Sequence, residues 1–208
     1  MARAVIVRKL SDFLTGGKSI TNGVAPDTPK ELYGMFAGPI DQAAAQRISN
    51  AMSLAINNGV QGIHLLFQSG GGNVGDGIYI FNLFRSLPIS LTLYNAGSIA
   101  SIAVIAYLGA AKRITTSNAT FMVHRTYFSP VGATSEKLQS AANTAILDEK
   151  RIESILQSKL KLPEDKLKLH SVADLWLSAD EAVAAGLATS IGDFIPPKGQ
   201  RMFYIGAP

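Results

Sequence analysis

Gly62-Ile63-His64-Leu65-Leu66-Phe67 runs directly into Gln68-Ser69-Gly70-Gly71-Gly72-Asn73, and this junction decides how the rest of the chain reads. The first segment is a short, mostly apolar run of the kind that a strand buried on both faces of a parallel sheet requires. The glycines end it and open a helix expected over residues 74 to 86, which turns Ile78, Phe81 and Phe84 inward before Pro88 starts another strand, Ile89 to Tyr94. Working outward, the alternation repeats. Upstream, Leu32 to Phe36 is a strand, Gly38-Pro39 a turn, and Asp41 the N-cap of a helix whose Ile48, Met52, Ala55 and Ile56 share one face until Asn57-Asn58-Gly59 stops it. Downstream come a turn at Gly97, a helix from about Ile99 to Gly109, and strands Arg113 to Thr115 and Thr120 to His124. Strands alternating with helices in this way indicate βαβ crossovers and the α/β class.

The 208 residues, 47% hydrophobic and 16% charged, suit one domain with a full core. That domain is expected over residues 31 to 208, behind an N-terminal arm of residues 1 to 30 punctuated by Gly16-Gly17 and Asn22-Gly23. The net charge is +4, but Lys and Arg are scattered and the tightest cluster is Lys159, Lys161, Lys166 and Lys168. A solvated face is expected there, with no nucleic acid as partner. The absence of cysteine excludes disulfides and thiolate chemistry. Ala4 to Val7, broken by Arg8 and Lys9, is too short for the core of an export signal, and the longest apolar stretch, Ile102 to Ala111, is about half of a bilayer span. A cytoplasmic protein with no membrane association is the expectation.

Residues 134 to 160 contain neither Gly nor Pro, and Leu138, Ala142, Ala145, Ile152, Leu156 and Leu160 recur at helical steps. One long amphipathic helix is expected, too long to pack entirely on so small a sheet. An apolar stripe that outruns its own domain meets another copy, so a homo-oligomer is expected through this helix. Pro163 suits the first turn of a short helix, and Ala179 to Ala185 reads as another.

Three well-separated histidines, no cysteine and no phosphate-loop lysine leave little for metal or nucleotide chemistry. Nucleophilic serine chemistry remains. It requires a serine at a strand-to-helix turn, a histidine base, a carboxylate to orient the base, and backbone N–H groups for the oxyanion. Asn95-Ala96-Gly97-Ser98-Ile99-Ala100-Ser101 places two serines at the entrance of an apolar helix, and the pattern alone leaves both open, with Ser98 also suited to capping. His64 lies inside a strand and His170 between short helices. His124 follows Phe121-Met122-Val123 at a strand end, where parallel sheets line their ligand crevice, and is the best base candidate.

Gln68-Ser69-Gly70-Gly71-Gly72-Asn73, Gly77-Ile78-Tyr79, Gly97-Ser98-Ile99-Ala100-Ser101, Phe121-Met122-Val123-His124 and Trp176-Leu177-Ser178-Ala179-Asp180-Glu181-Ala182-Val183 together resemble, in order and spacing, the motif series of the proteolytic subunit of the Clp protease. The resemblance covers residues 33 to 193. It implies a ClpP/crotonase-like fold with a protruding handle helix, and a serine endopeptidase acting on peptides or unfolded proteins, with no cofactor. It also implies a catalytic triad of Ser101, His124 and Asp174, oxyanion donors at the Gly72 and Ile102 backbone N–H groups, and a substrate loop at Gly70 and Gly71. The implied assembly is a heptameric ring or double ring served by an ATP-driven AAA+ unfoldase, although residues 1 to 30 bear no likeness to the segment that docks one. Gly70 replaces the family's loop proline, and Arg125-Thr126 replaces its Gln-Pro after the histidine. A substrate groove of different shape is therefore expected. The rival readings are a catalytically silent ring subunit and an acyl-CoA hydratase or isomerase on the same fold.

Overall fold

The computed structural model describes residues 29–126, 132–163 and 173–206. The arm expected over residues 1 to 30 falls almost entirely outside them, as do His170 and most of the short helix expected from Pro163. The described strands are β1 (Glu31–Ala37), β2 (Gly62–Gln68), β3 (Ser90–Asn95), β4 (Ser98–Ala100), β5 (Lys112–Thr115), β6 (Thr120–Val123), β7 (Leu175–Leu177), β8 (Ser190–Ile191) and β9 (Met202–Ile205). The helices are α1 (Gln42–Asn57), α2 (Val74–Ser86), α3 (Ile102–Tyr107), α4 (Ser135–Lys159) and α5 (Ala179–Ala184).

Six parallel strands form the main sheet in the order β8-β5-β3-β2-β1-β9. Leu32, Phe36, Ile63, Leu65, Phe67, Leu91 and Leu93 project from one face of it into a core shared with Ile48, Met52, Phe81 and Tyr107. The opposite face is only partly covered. There Tyr33, His64, Thr92 and Lys112 stand in one cross-strand row. The expectation that β2 is buried on both faces is thus corrected, because His64 and Leu66 are only half-buried.

Local chemistry explains the helix boundaries. Asp41 caps α1 by accepting from the Ala44 N–H at 2.7 Å, and Asn73 caps α2 through Asp76 N–H at 3.2 Å. Ser178 and Glu181 form a reciprocal capping box at the start of α5. Gly77 lets α2 press against α3, since a Cβ there would collide with Ile102 Cγ1.

Two sequence expectations change. The helix expected from Ile99 begins at Ile102, because Ser98–Ala100 stays extended and pairs with β6 in register Ser98↔Thr120. Ser98 is therefore a strand residue and no helix cap. A second, three-stranded sheet, β4-β6-β7, joins the parallel one through an isolated bridge between Ser69 and Ile99, and its β6–β7 pair is antiparallel.

The long helix is present as α4, with Thr134 as N-cap. Its apolar stripe splits in two. Ile152, Leu156 and the C-cap Leu160 are buried against the domain, whereas Leu138, Ile146 and Leu147 are exposed. No described helix is long and apolar enough to cross a membrane.

Candidate active site

The site is built where β2, β4 and β6 end. Ala100 N–H donates to Ser69 O (2.9 Å) and Ser101 N–H to Met122 O (2.7 Å), so the strand is hydrogen-bonded on both sides up to Ser101. The chain must then turn at once into α3, and Ser101 takes φ 58° and ψ −135° to do it. Among the described residues it is the only non-glycine with positive φ. Such a conformation costs about 1–3 kcal/mol and persists only where surrounding contacts impose it. Ser101 occupies the N-cap position of α3 but makes no capping bond with its side chain. Its Oγ instead lies 2.8 Å from His124 Nε2.

His124 stands one residue beyond β6, anchored by the buried Phe121 and Val123. The antiparallel register of β6 with β7, Val123↔Leu175, sets Asp174 one step beyond the ladder and opposite His124. Asp174 is exposed. The structure thus brings Ser101 and His124 into contact and leaves Asp174 at the neighbouring register position.

The glycine loop is pinned to the segment ahead of α1. Ile40 N–H donates to Gly71 O (2.9 Å) and Asn73 N–H to Ile40 O (2.7 Å). Between these bonds the Gly72 N–H has no acceptor among the described residues, and neither has the Ile102 N–H at the first position of α3. Both residues line the cavity that Ser101 and His124 share. Gly72, at φ 151°, must be glycine because a Cβ would collide with the Ile40 carbonyl. Gly71, at φ 100°, abuts the serine itself: a Cβ would stand 2.6 Å from Ser101 Cβ. Gly70 faces open space.

The cavity measures about 260 Å³, and its apolar wall includes Val74, Ile105, Val123 and Ile152, the last contributed by α4. Arg125 ties the segment after His124 to that helix through an ion pair with Glu149 at 2.9 Å. No three His, Cys, Asp or Glu side chains come together as a metal-holding group among the described residues. His64 belongs elsewhere. It stacks on Tyr33 at 4.6 Å between centroids, bonds Tyr94 Oη at 2.9 Å and faces Glu31 at 3.5 Å. Burial holds its pKa below the ordinary value, partly opposed by Glu31.

The family model for Clp protease matches residues 30–194, a span that contains the glycine loop, the strained serine at the strand-to-helix turn and the strand-end histidine. The chain belongs to the Clp protease family. Individual relatives agree. ATP-dependent Clp protease proteolytic subunit 3 of Rhizobium johnstonii is 26% identical over 156 residues, covering 74% of this chain and 80% of that protein. Proteolytic subunit 2 of Pseudomonas aeruginosa is 24% identical, with 74% and 77% covered. A mutant ClpP1 from Listeria monocytogenes superposes with a TM-score of 0.67 at 23% identity, over 78% of this chain and 91% of that one, which establishes the fold. The Clp protease fold with its long helix is therefore the architecture here.

The sequence did not signal Ile40 or Ile152 as parts of this Clp-type site, and marked Thr126 only as a departure that changes the groove. Ile40 acts through its backbone alone, which no residue type advertises. Ile152 enters the cavity because α4 packs against α3, and Thr126 because it lies two residues beyond His124.

Proposed function

We propose that this Clp-family chain is a serine endopeptidase that cleaves peptides or unfolded chains within an oligomeric ring. The observation that carries the reading is the 2.8 Å contact between Ser101 Oγ and His124 Nε2, made by a serine whose hydroxyl is released from capping. In this reading Ser101 Oγ attacks the scissile carbonyl while its proton passes to His124 Nε2. The oxyanion is received by the N–H groups of Gly72 and Ile102. His124 then protonates the leaving amine, and a water activated by the same imidazole hydrolyses the acyl-enzyme. The imidazole that takes the proton is oriented by a carboxylate in this chemistry. Asp174, opposite His124 in the extended register, is assigned that orienting role.

The exposed Leu138, Ile146 and Leu147 on α4 support a homo-oligomer formed through this helix. The relatives' names describe ATP-dependent proteases; a partner unfoldase for this chain remains part of the proposal. The test is a fluorophosphonate, read by intact mass. Wild type is expected to gain one adduct that Ser101→Ala lacks. A correctly assembled chain that gains none is a silent ring subunit instead.

A further inference from the structure

The cavity beside Ser101 contains one polar atom that the chemistry above leaves unused. Thr126 Oγ1 is buried and has no hydrogen-bond partner among the described residues. Thr126 lines the same cavity as Ser101 and His124, together with the apolar side chains of Ile105 and Ile152. A buried hydroxyl with no partner carries a desolvation penalty, and any ligand that supplies the missing bond recovers it, on the order of tenfold to a hundredfold in affinity. The hydroxyl is also held in place. Its β-branched side chain has few rotamers, and the preceding Arg125 is tied to Glu149, one helical turn before Ile152.

We propose that Thr126 is a specificity-determining residue: its Oγ1 hydrogen-bonds the tip of the substrate side chain on the residue whose carbonyl Ser101 attacks, and so selects a neutral carboxamide such as glutamine. The inference rests on the peptidase reading of Ser101. With the carbonyl oxygen at the Gly72 and Ile102 N–H groups, the side chain of the same residue is within reach of the cavity, since both groups line it. Val74, Ile105, Val123 and Ile152 take the methylene stem, and Thr126 meets the head. Among the described residues no Asp, Glu, Lys or Arg lines the cavity, so an ionised side chain entering it loses its hydration without gaining a counter-charge from them.

The test is equilibrium binding, by fluorescence anisotropy, of two dye-labelled peptides that differ only in a C-terminal Gln or Leu, to the full chain carrying Thr126, Thr126→Val or Thr126→Ser. Such peptides are products, so binding is read without turnover. The wild type is expected to prefer the Gln peptide, Thr126→Val to move the Gln-to-Leu ratio about tenfold toward Leu, and Thr126→Ser to retain the preference. A ratio unmoved by Thr126→Val, or the absence of binding by either peptide, overturns the proposal. Fluorophosphonate labelling of the same samples separates the two readings. A labelled chain with an unmoved ratio refutes the role of Thr126 alone, and an unlabelled chain refutes the peptidase.

Discussion

Gly71 and Ser101 touch so closely that a Cβ on the glycine would lie 2.6 Å from the Cβ of the serine and 3.0 Å from its Oγ. The glycine loop therefore acts as a backstop that fixes where the hydroxyl can be.

Gly71→Ala follows from this contact. The new methyl has to displace the serine or the loop, and φ 100° at residue 71 adds strain of its own. A shift of about 1 Å at a reacting centre costs on the order of a hundredfold in rate. Peptidase kcat/KM is expected to fall by about that factor while the far-ultraviolet circular dichroism stays that of the wild type. Wild-type kcat/KM in the variant would show that the loop does not position Ser101.

Ser101→Gly separates strain from chemistry. Glycine adopts the φ and ψ of residue 101 without steric cost, which recovers more than its extra chain entropy takes away. The variant is expected to be inactive yet more stable by about 1 kcal/mol, seen as a melting temperature about 2–4 °C higher. An inactive variant with a lower melting temperature would mean that the bond to His124 outweighs the strain.

His64 gives a pH dependence of stability unrelated to the serine. Its folded pKa lies below the ordinary 6.5, chiefly through burial, so in the window between the two values the unfolded chain binds more protons. Stability therefore rises with pH through that window and is lost as the solution is acidified through it, with no further change from His64 below its folded value. In His64→Gln the decline of melting temperature between about pH 7 and pH 5 should be shallower than in wild type. Superimposable profiles would assign the acid sensitivity to other groups.

The two halves of α4 predict opposite outcomes for similar substitutions. Leu147→Glu places a charge on a side chain that is 58% exposed, and should reduce the native mass in solution while leaving the melting temperature of the subunit nearly unchanged. Leu156→Glu buries a charge at a position with no exposure, and should cost about 3–5 kcal/mol. An unaltered native mass for Leu147→Glu would remove this face of α4 from the assembly.

Much of this was legible in the sequence because it depends on local signals. The bounds of α2, the cap at Asp41 and the length of α4 follow from capping residues and from the absence of Gly and Pro. The extended run Ser98–Ala100 was not legible, since Ile99 and Ala100 suit a helix equally well and only pairing with β6 decides between the two. The same non-local pairing distinguishes the two serines by position. Ser98 is consumed in the ladder, and Ser101 emerges where the ladder ends. Asp174 was reached by resemblance, and its relation to His124 is a matter of register across two strands that are more than fifty residues apart in the chain. Thr126 was legible only as a departure in the groove, because an unpaired hydroxyl is a property of the packed cavity.

One rod, about 37 Å long for its 25 residues, carries Leu147 on its outer part and Ile152 in the cavity wall. Those two side chains are little more than one helical turn apart. In the proposed oligomer, a second copy seated on the outer face of the rod would bear on the same helix that walls the cavity beside Ser101, and a ligand filling the cavity would bear on that copy. Linkage would make such influence mutual. A small molecule that swells the pocket would then also act as a crowbar on the proposed assembly, and its dose dependence could be followed by light scattering.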